Sequence, residues 1–436
     1  MRTRHSGFHR TASFVTTAIL ACGLLFVGHP GIASDCECGG DCAGAYCSQA
    51  PRLEEFGGWS LFWHDPCATP TYCWAGEHYC HTAQAPRVYA RVDFLPLFRD
   101  ESGSTVYQAR ASRQVEEIRD AGGAVTDTII TYPREAVLTS GDLDGEFEPG
   151  VRALIGVSLS DWYRLEWSYI GSYSWADSAS VRYDASDGTG NLLSPFSNFG
   201  YPEGELNLDP VPDGFFNPVH GLDFNSRACV TWSSQLDNFE LNLRRRVCMP
   251  RDRHVCAEMS CLVGLRYMKL REALDYRTES PAFPKAESPV GAFENTESVR
   301  IDNDLFGPQI GALAQFLVHN RAWIDVSITG AILFDRAESD VVAHVNPGGV
   351  PTDAAFSAEE NATAFLGDLS VQFNYQFAPA WTVRAGYNAI WLSGVALATK
   401  NFVSDINALG NGCPHSVDHD GDVVYHGPSI GITWAR

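Results

Sequence analysis

The chain has 436 residues, of which 19% are charged and 12% aromatic, with 39 glycines and 23 prolines. That balance suits a turn-rich β protein rather than a charged helical one. A formal net charge of −22, with no Lys/Arg-rich run of five or more, excludes nucleic acid as a partner, because nothing could neutralise a row of phosphates.

Arg2, Arg4 and Arg10 precede an apolar run from Phe14 to Gly28, and a small-x-small site follows at Gly31-Ile32-Ala33. Residues 1–33 read as a secretory signal peptide and are set aside from the fold. No later segment reaches 18 uninterrupted apolar residues, so a membrane-embedded mature chain would have to be a closed β-barrel. Residues 34–86 are rich in Cys, Gly and Pro without periodicity and read as an irregular N-terminal segment. Twelve of the thirteen cysteines lie after the signal, and an exported chain favours disulfides over a zinc site for CECGGDCAGAYC.

From residue 87 onward, period-two alternation marks strands near 87–98, 149–160, 162–172, 233–246, 257–270, 306–318, 322–335, 363–376, 381–391 and 424–435. Each has about the length a tilted strand needs to cross a bilayer. Long and short connections alternate between them: 99–148 is long, Asp161 is a turn, 173–232 is long, and so on through 336–362. A sandwich has no reason to keep that asymmetry, since both of its ends meet the same water. A membrane barrel has one, with short periplasmic turns and long external loops. The expected fold is all-β, an antiparallel up-and-down transmembrane barrel of about ten strands over residues 87–436.

The faces follow the same logic. In LSDWYRLEWSYIG, Tyr163, Leu165, Trp167 and Tyr169 share the lipid side, leaving Arg164 and Glu166 inside. Strand parity sends Arg91, Asp93, Arg152, Arg164, Glu166, Glu240, Arg244, Arg266, Asp325, Asp368 and Arg384 inward, with the two signs interspersed so that neighbours pair. A barrel of eight strands has an interior just wide enough for side chains. Ten strands crossed by long charged side chains predict a narrow or plugged lumen. Pro96, Pro308 and Pro428 fall inside strands, where they cannot donate to the ladder, and are expected toward the outer ends. Trp162, Trp323 and Trp381 follow short turns as a girdle would, although parity points the first two inward.

Cys248 and Cys256 bracket one turn and are a candidate disulfide. DHDGD places Asp418, Asp420 and Asp422 like the start of a calcium loop, but Ser429 stands where the bidentate glutamate should be. This is a weak metal site at most, with divalent cations as candidate partners of the acidic loops. No nucleophile, zinc-protease, phosphate or dinucleotide motif appears, so neither a cofactor nor an enzyme is expected. Two alternatives stand beside the barrel channel or surface protein. One is a barrel hydrolase using His344, His415 or His419 with nearby acids at the rim. The other is a soluble exported β protein that binds carbohydrate.

Several stretches carry a family resemblance: RVYARVDFLPL, GVRALIGVSLSDWYRLEWSYIG, SSQLDNFELNLR, LVGLRYMKLREAL, NDLFGPQIGA, TAFLGDLSVQFNY, VRAGYNAIWLSGVALA and VVYHGPSIGITW. In this order, over most of residues 87–436, they resemble β-barrel porin family seven, outer-membrane barrel proteins of planctomycete-type bacteria. The resemblance implies an outer-membrane location and a porin-like role. It also implies outer-membrane lipid and the barrel-assembly machinery as partners, and it brings no catalytic residues. The chain departs from barrel-assembly signals, which end on an aromatic residue, by ending Trp434-Ala-Arg436.

Overall fold

The computed structural model describes residues 87–436 apart from 102, 112, 121–122, 144, 161, 184–190, 201–210, 213–218, 220, 248–256, 281–291, 320 and 405–415. The signal peptide, the Cys-rich segment and the Cys248–Cys256 pair lie outside these residues. Ten antiparallel staves make the wall. They are β1 (Val88–Phe94), β2 (Val151–Ser158), β3 (Tyr163–Arg182), β4 (Arg227–Val247) and β5 (Ala257–Ser280), followed by β6 (Phe293–His319), β7 (Ala322–Val345), β8 (Thr352–Ala378), β9 (Trp381–Val395) and β10 (Gly421–Ala435). Each pairs with the next, and β10 returns to β1 through Tyr89–Ala435 to Phe94–Ile430, which closes the ring. Closure leaves no free edge, as a span in lipid requires.

The prolines sit where the ladder is already broken. β1 continues after Leu95-Pro96 as Leu97–Glu101, still paired with β10 at Phe98–His426. The register carried from Phe94–Ile430 to Phe98–His426 sets Pro96 opposite Pro428, so two missing donors share one rung. Pro308 pairs with Leu265 on its β5 side, while on the β7 side pairing skips from Phe306 to Gln309.

The staves are far longer than a bilayer crossing. β6 and β8 have 27 residues each, where about 9–11 suffice. The stretch 336–362, expected as a loop, is therefore a hairpin of β7 and β8 with only 346–351 connecting them. The cause is a change of phase. On β7 the outward residues Ile332 and Phe334 are apolar, but the next outward ones are Arg336, Glu338 and Asp340. Inside, the order reverses, from Asp325 below to Leu333, Ala337 and Val341 above. β4 shows the same switch: Phe239 and Leu241 face out with Asn238 and Asn242 inside, while above them Val230, Trp232 and Leu236 point inward. The lower half is thus wet inside and apolar outside, and the upper half is the reverse. Tyr169 and Tyr267 mark the border outside, their hydroxyls donating at 2.7 Å to Asp237 and Asp304, acids at the upper edge of the apolar band.

A bulge assists the switch on β3. Gly171 and Ser172 together oppose Asp237 on β4, Ser172 taking φ +72°. The inserted residue turns the strand's parity over, so Tyr173 and Trp175 join Ile170 inside. The upper interior is one apolar cluster. It joins Trp175, Trp232, Leu274, Tyr276, Val299 and Leu333 of the wall to Tyr107, Leu138, Phe196, Leu397 and Phe402 of the connections. Strands Val106–Ala111, Arg134–Thr139 and Asn191–Leu193 pair as a small sheet that contributes to this cap.

Candidate functional site

The lower chamber gathers all eleven charges expected inside. Arg266 is its centre, 1% exposed, donating to Glu240 at 2.9 Å, to Gln309 at 2.7 Å and to Asp368 at 3.5 Å. Gln309, Asn238 and Asn242 donate to Glu240 in turn. Nearer the short turns, Arg244 forks onto Glu166 with two 2.9 Å bonds, the planar pairing in which a guanidinium is strongest. Tyr89 donates to the same carboxylate. Its ring reaches there over Gly156, where any Cβ would fall 2.1 Å from the Tyr89 Cζ. Arg384 lies 3.5 Å from Asp93 and donates to Asn374 at 3.0 Å, Arg152 donates to Asn388 at 2.9 Å, and Asp325 accepts from Gln315 at 2.8 Å. Arg91 and Arg164 line the same space. Trp323 is buried inside, and Trp381 is exposed outside at 41%.

The upper cap is held by a different device, which the sequence reading missed. Polar side chains of the wall grip the backbone of the connections. Asn303 binds both groups of Ala396, accepting from its N–H at 3.1 Å and donating to its carbonyl at 2.9 Å. Glu272 accepts from the Ala398 N–H at 3.0 Å and pairs with Arg99 at 2.6 Å. Glu297 accepts from the Val403 N–H at 2.7 Å. Asn295 donates to the Gly221 carbonyl at 2.7 Å, Tyr276 to that of Tyr107 at 3.0 Å, and Tyr173 to that of Leu95 at 2.6 Å. A buried loop needs such partners, because its peptide groups have no ladder of their own. Burial pushes the Glu297 carboxyl up to about 8 and that of Asp223 up to about 6. Asp223 accepts from Ser194, Ser197 and Val219 and so ties the second long connection to itself. A sequence signal existed for these grips: single Glu and Asn residues at inward positions of otherwise apolar strand ends.

The Asp418 carboxylate accepts the Asp420 N–H at 2.8 Å in a local turn, and Asp422 stands on β10 opposite Ser393. Among the described residues no three His, Cys, Asp or Glu side chains form a group that could hold a metal. The rim histidines do not converge either. His344 pairs with Asp353 on the outer face of the β7–β8 hairpin, while His419 lies 3.6 Å from Asp335 inside the wall. His415 is outside the described residues. Cys229 is a free thiol.

No curated protein matches the chain. Solved structures with a related shape include the outer membrane protease OmpT from Escherichia coli, 10% identical with TM-score 0.37, over 80% of this chain and 96% of that one. The CymD monoaromatic hydrocarbon channel is 9% identical with TM-score 0.25, over 80% and 89%. A Pseudomonas aeruginosa FadL homologue is 10% identical with TM-score 0.22, over 87% and 96%. At such scores the likeness says nothing of what this chain does. The family model is another matter, for the one described as putative beta barrel porin-7 matches residues 89–434, the whole ring from β1 to β10. With the ring closed, lipid-facing below and charged within, the chain belongs to the putative beta barrel porin-7 family.

Proposed function

We propose that this protein is an outer-membrane barrel whose lumen is closed to bulk diffusion and whose work is done on its outer, loop-bearing end. The observation that carries the reading is the apolar cluster of the upper interior, stacked above a lower chamber crossed by Arg266, Glu240, Asp368, Arg244 and Glu166. A solute entering from outside would meet a packed core before any water-lined passage. The assembly machinery and outer-membrane lipid are its partners on this reading, and it performs no catalysis. Supporting the last point, the His344–Asp353 pair lies on the outer face of the β7–β8 hairpin and the His419–Asp335 pair inside the wall, so the two do not make one site.

The test is planar-bilayer recording on protein purified from the outer-membrane fraction and shown to be heat-modifiable on gels. The expected result is no stable conductance step of general-diffusion size. Steps of that size would overturn the closed lumen, and absence of the heat-modifiable band from the outer-membrane fraction would overturn the location.

A further inference from the structure

Below the cap, at the short-turn end, the chamber holds a cavity of about 80 Å³. One water needs roughly 10–15 Å³ on the same measure, so the space takes a small polyatomic guest with some of its hydration. Five guanidiniums line it, those of Arg91, Arg152, Arg164, Arg244 and Arg384, against two carboxylates, Glu166 and Asp325. Both carboxylates are already engaged, Glu166 by Arg244 and Tyr89, and Asp325 by Gln315. Among the described residues, Arg91 and Arg152 have no acid within ion-pair distance, and the buried Arg91 Nε has no hydrogen-bond partner. In a chain of net charge −22, the wall of this cavity is thus locally rich in positive charge, with Asp93 just behind it beside Arg384 and the remaining acids of the chamber paired with Arg266. Buried like charges repel strongly in a medium of low dielectric, and forked N–H donors fit oxyanions. A smaller cavity sharing Arg164, Arg244, Leu313 and Gln315 lies beside it near the short turns, lined also by Trp162, Ser260 and the Arg246–Glu258 ion pair at 3.2 Å.

We infer that this chamber is a binding site for a small water-soluble oxyanion of the phosphate, sulfate or carboxylate class, reached from the short-turn end. The site goes beyond the closed-lumen reading and does not need the barrel to conduct. Arg91 and Arg152 supply its open donors, while Arg384 is held by Asp93 at 3.5 Å and Asn374 at 3.0 Å.

The test titrates inorganic phosphate into the full chain in nanodiscs at fixed ionic strength, read by calorimetry, with sodium chloride as the matched control. The expected result is saturable binding of one phosphate per barrel, weakened at least tenfold in Arg91→Gln/Arg152→Gln and unchanged in Asp353→Asn at the far hairpin. If the double variant loses heat-modifiable migration, Arg91→Gln alone is used. Arg91 is half-buried and without an ion pair, so this variant is expected to weaken phosphate binding while leaving phosphate-free stability unchanged or higher. A purely structural arginine would lower that stability, and a loss there with phosphate binding intact would overturn the assignment. So would the absence of saturable binding to the unaltered barrel, or equal binding in the variants. Nanodiscs with and without phosphatidylglycerol separate the two sources of phosphate. Displacement of inorganic phosphate by the anionic lipid would assign the chamber to a headgroup and overturn the soluble anion.

Discussion

The lower and upper halves of this barrel are built from the same staves by opposite rules. Below the border marked by Tyr169 and Tyr267, apolar side chains such as Trp167, Leu241, Val371 and Phe373 face outward and charges face in. Above it, Trp175, Trp232, Leu274 and Val299 face inward, and the outer surface carries ion pairs such as Arg271–Asp302 and Arg336–Glu359. Period two is kept throughout, and only the phase changes. The lesson is that a strand does not carry an inside and an outside of its own: whatever medium touches the outer wall decides which face is apolar. Lipid gives nothing for apolar burial within the lower lumen, so polar networks fill it, whereas water around the upper wall makes a hydrophobic core worth about 25 cal/mol per Å² buried.

The largest expected effect contrasts two inward positions on β4. Trp232→Ala empties a fully enclosed site in the upper core and is expected to cost about 3–5 kcal/mol in denaturant unfolding from micelles. Asn238→Ala, six residues lower in the polar layer, is expected to cost about 1–2 kcal/mol through a lost donor to Glu240. Equal losses would mean that the two interiors are not different in kind.

A smaller contrast uses the outer face of β8. Val371→Arg, midway along the apolar band from Phe365 to Phe377, is expected to cost roughly 2–4 kcal/mol in lipid. Ser357→Arg, on the same face above the border, should change stability by less than about 0.5 kcal/mol. A large penalty at Ser357 would lift the membrane border toward the rim.

A third test sharpens the account of the cap. The Glu297 carboxyl titrates near 8 when folded, against 4.5 for an ordinary glutamate. Between those values the folded state keeps a proton that the unfolded state has lost. Stability should therefore fall as pH rises through this window, by up to roughly 1.4 kcal/mol per unit, and level off above it. Glu297→Gln still accepts the Val403 N–H and cannot ionise, so its unfolding curves should lose that slope between pH 5 and 8. A slope unchanged by the substitution would place the titration elsewhere.

The ten staves and the residues of the lower chamber could be read from the chain because lipid imposes one unbroken phase on each crossing. From Ile324 to Phe334 the apolar positions are even-numbered, and Asp325, Ser327 and Thr329 fall between them. From Ala337 to Val345 the apolar positions are odd-numbered except Val342, which stays outside. A window spanning the change sees its alternation cancel, which is why 336–362 looked like a loop. The Gly171-Ser172 bulge hides Tyr173 and Trp175 in the same way. The cap was less legible still. Its contacts join residues such as Asn303 and Ala396, ninety-three positions apart, and no local pattern announces a strand side chain that will hold a distant peptide group.

Those grips have an evolutionary consequence. Asn303, Glu272, Glu297, Asn295, Tyr173 and Tyr276 hold the connections by N–H and C=O groups that every residue but proline presents in full. These grips make no use of the side chains at Ala396, Ala398 and Val403, which pack in the apolar cluster and are limited there by size alone. Exchanges of like size in the gripped connections therefore leave the backbone grips in place, Gly221 excepted, where φ is +88° and a Cβ would fall 2.0 Å from the Asn346 carbonyl oxygen. New surfaces can then be tried on an unchanged barrel, without each trial having to solve again how a loop is anchored.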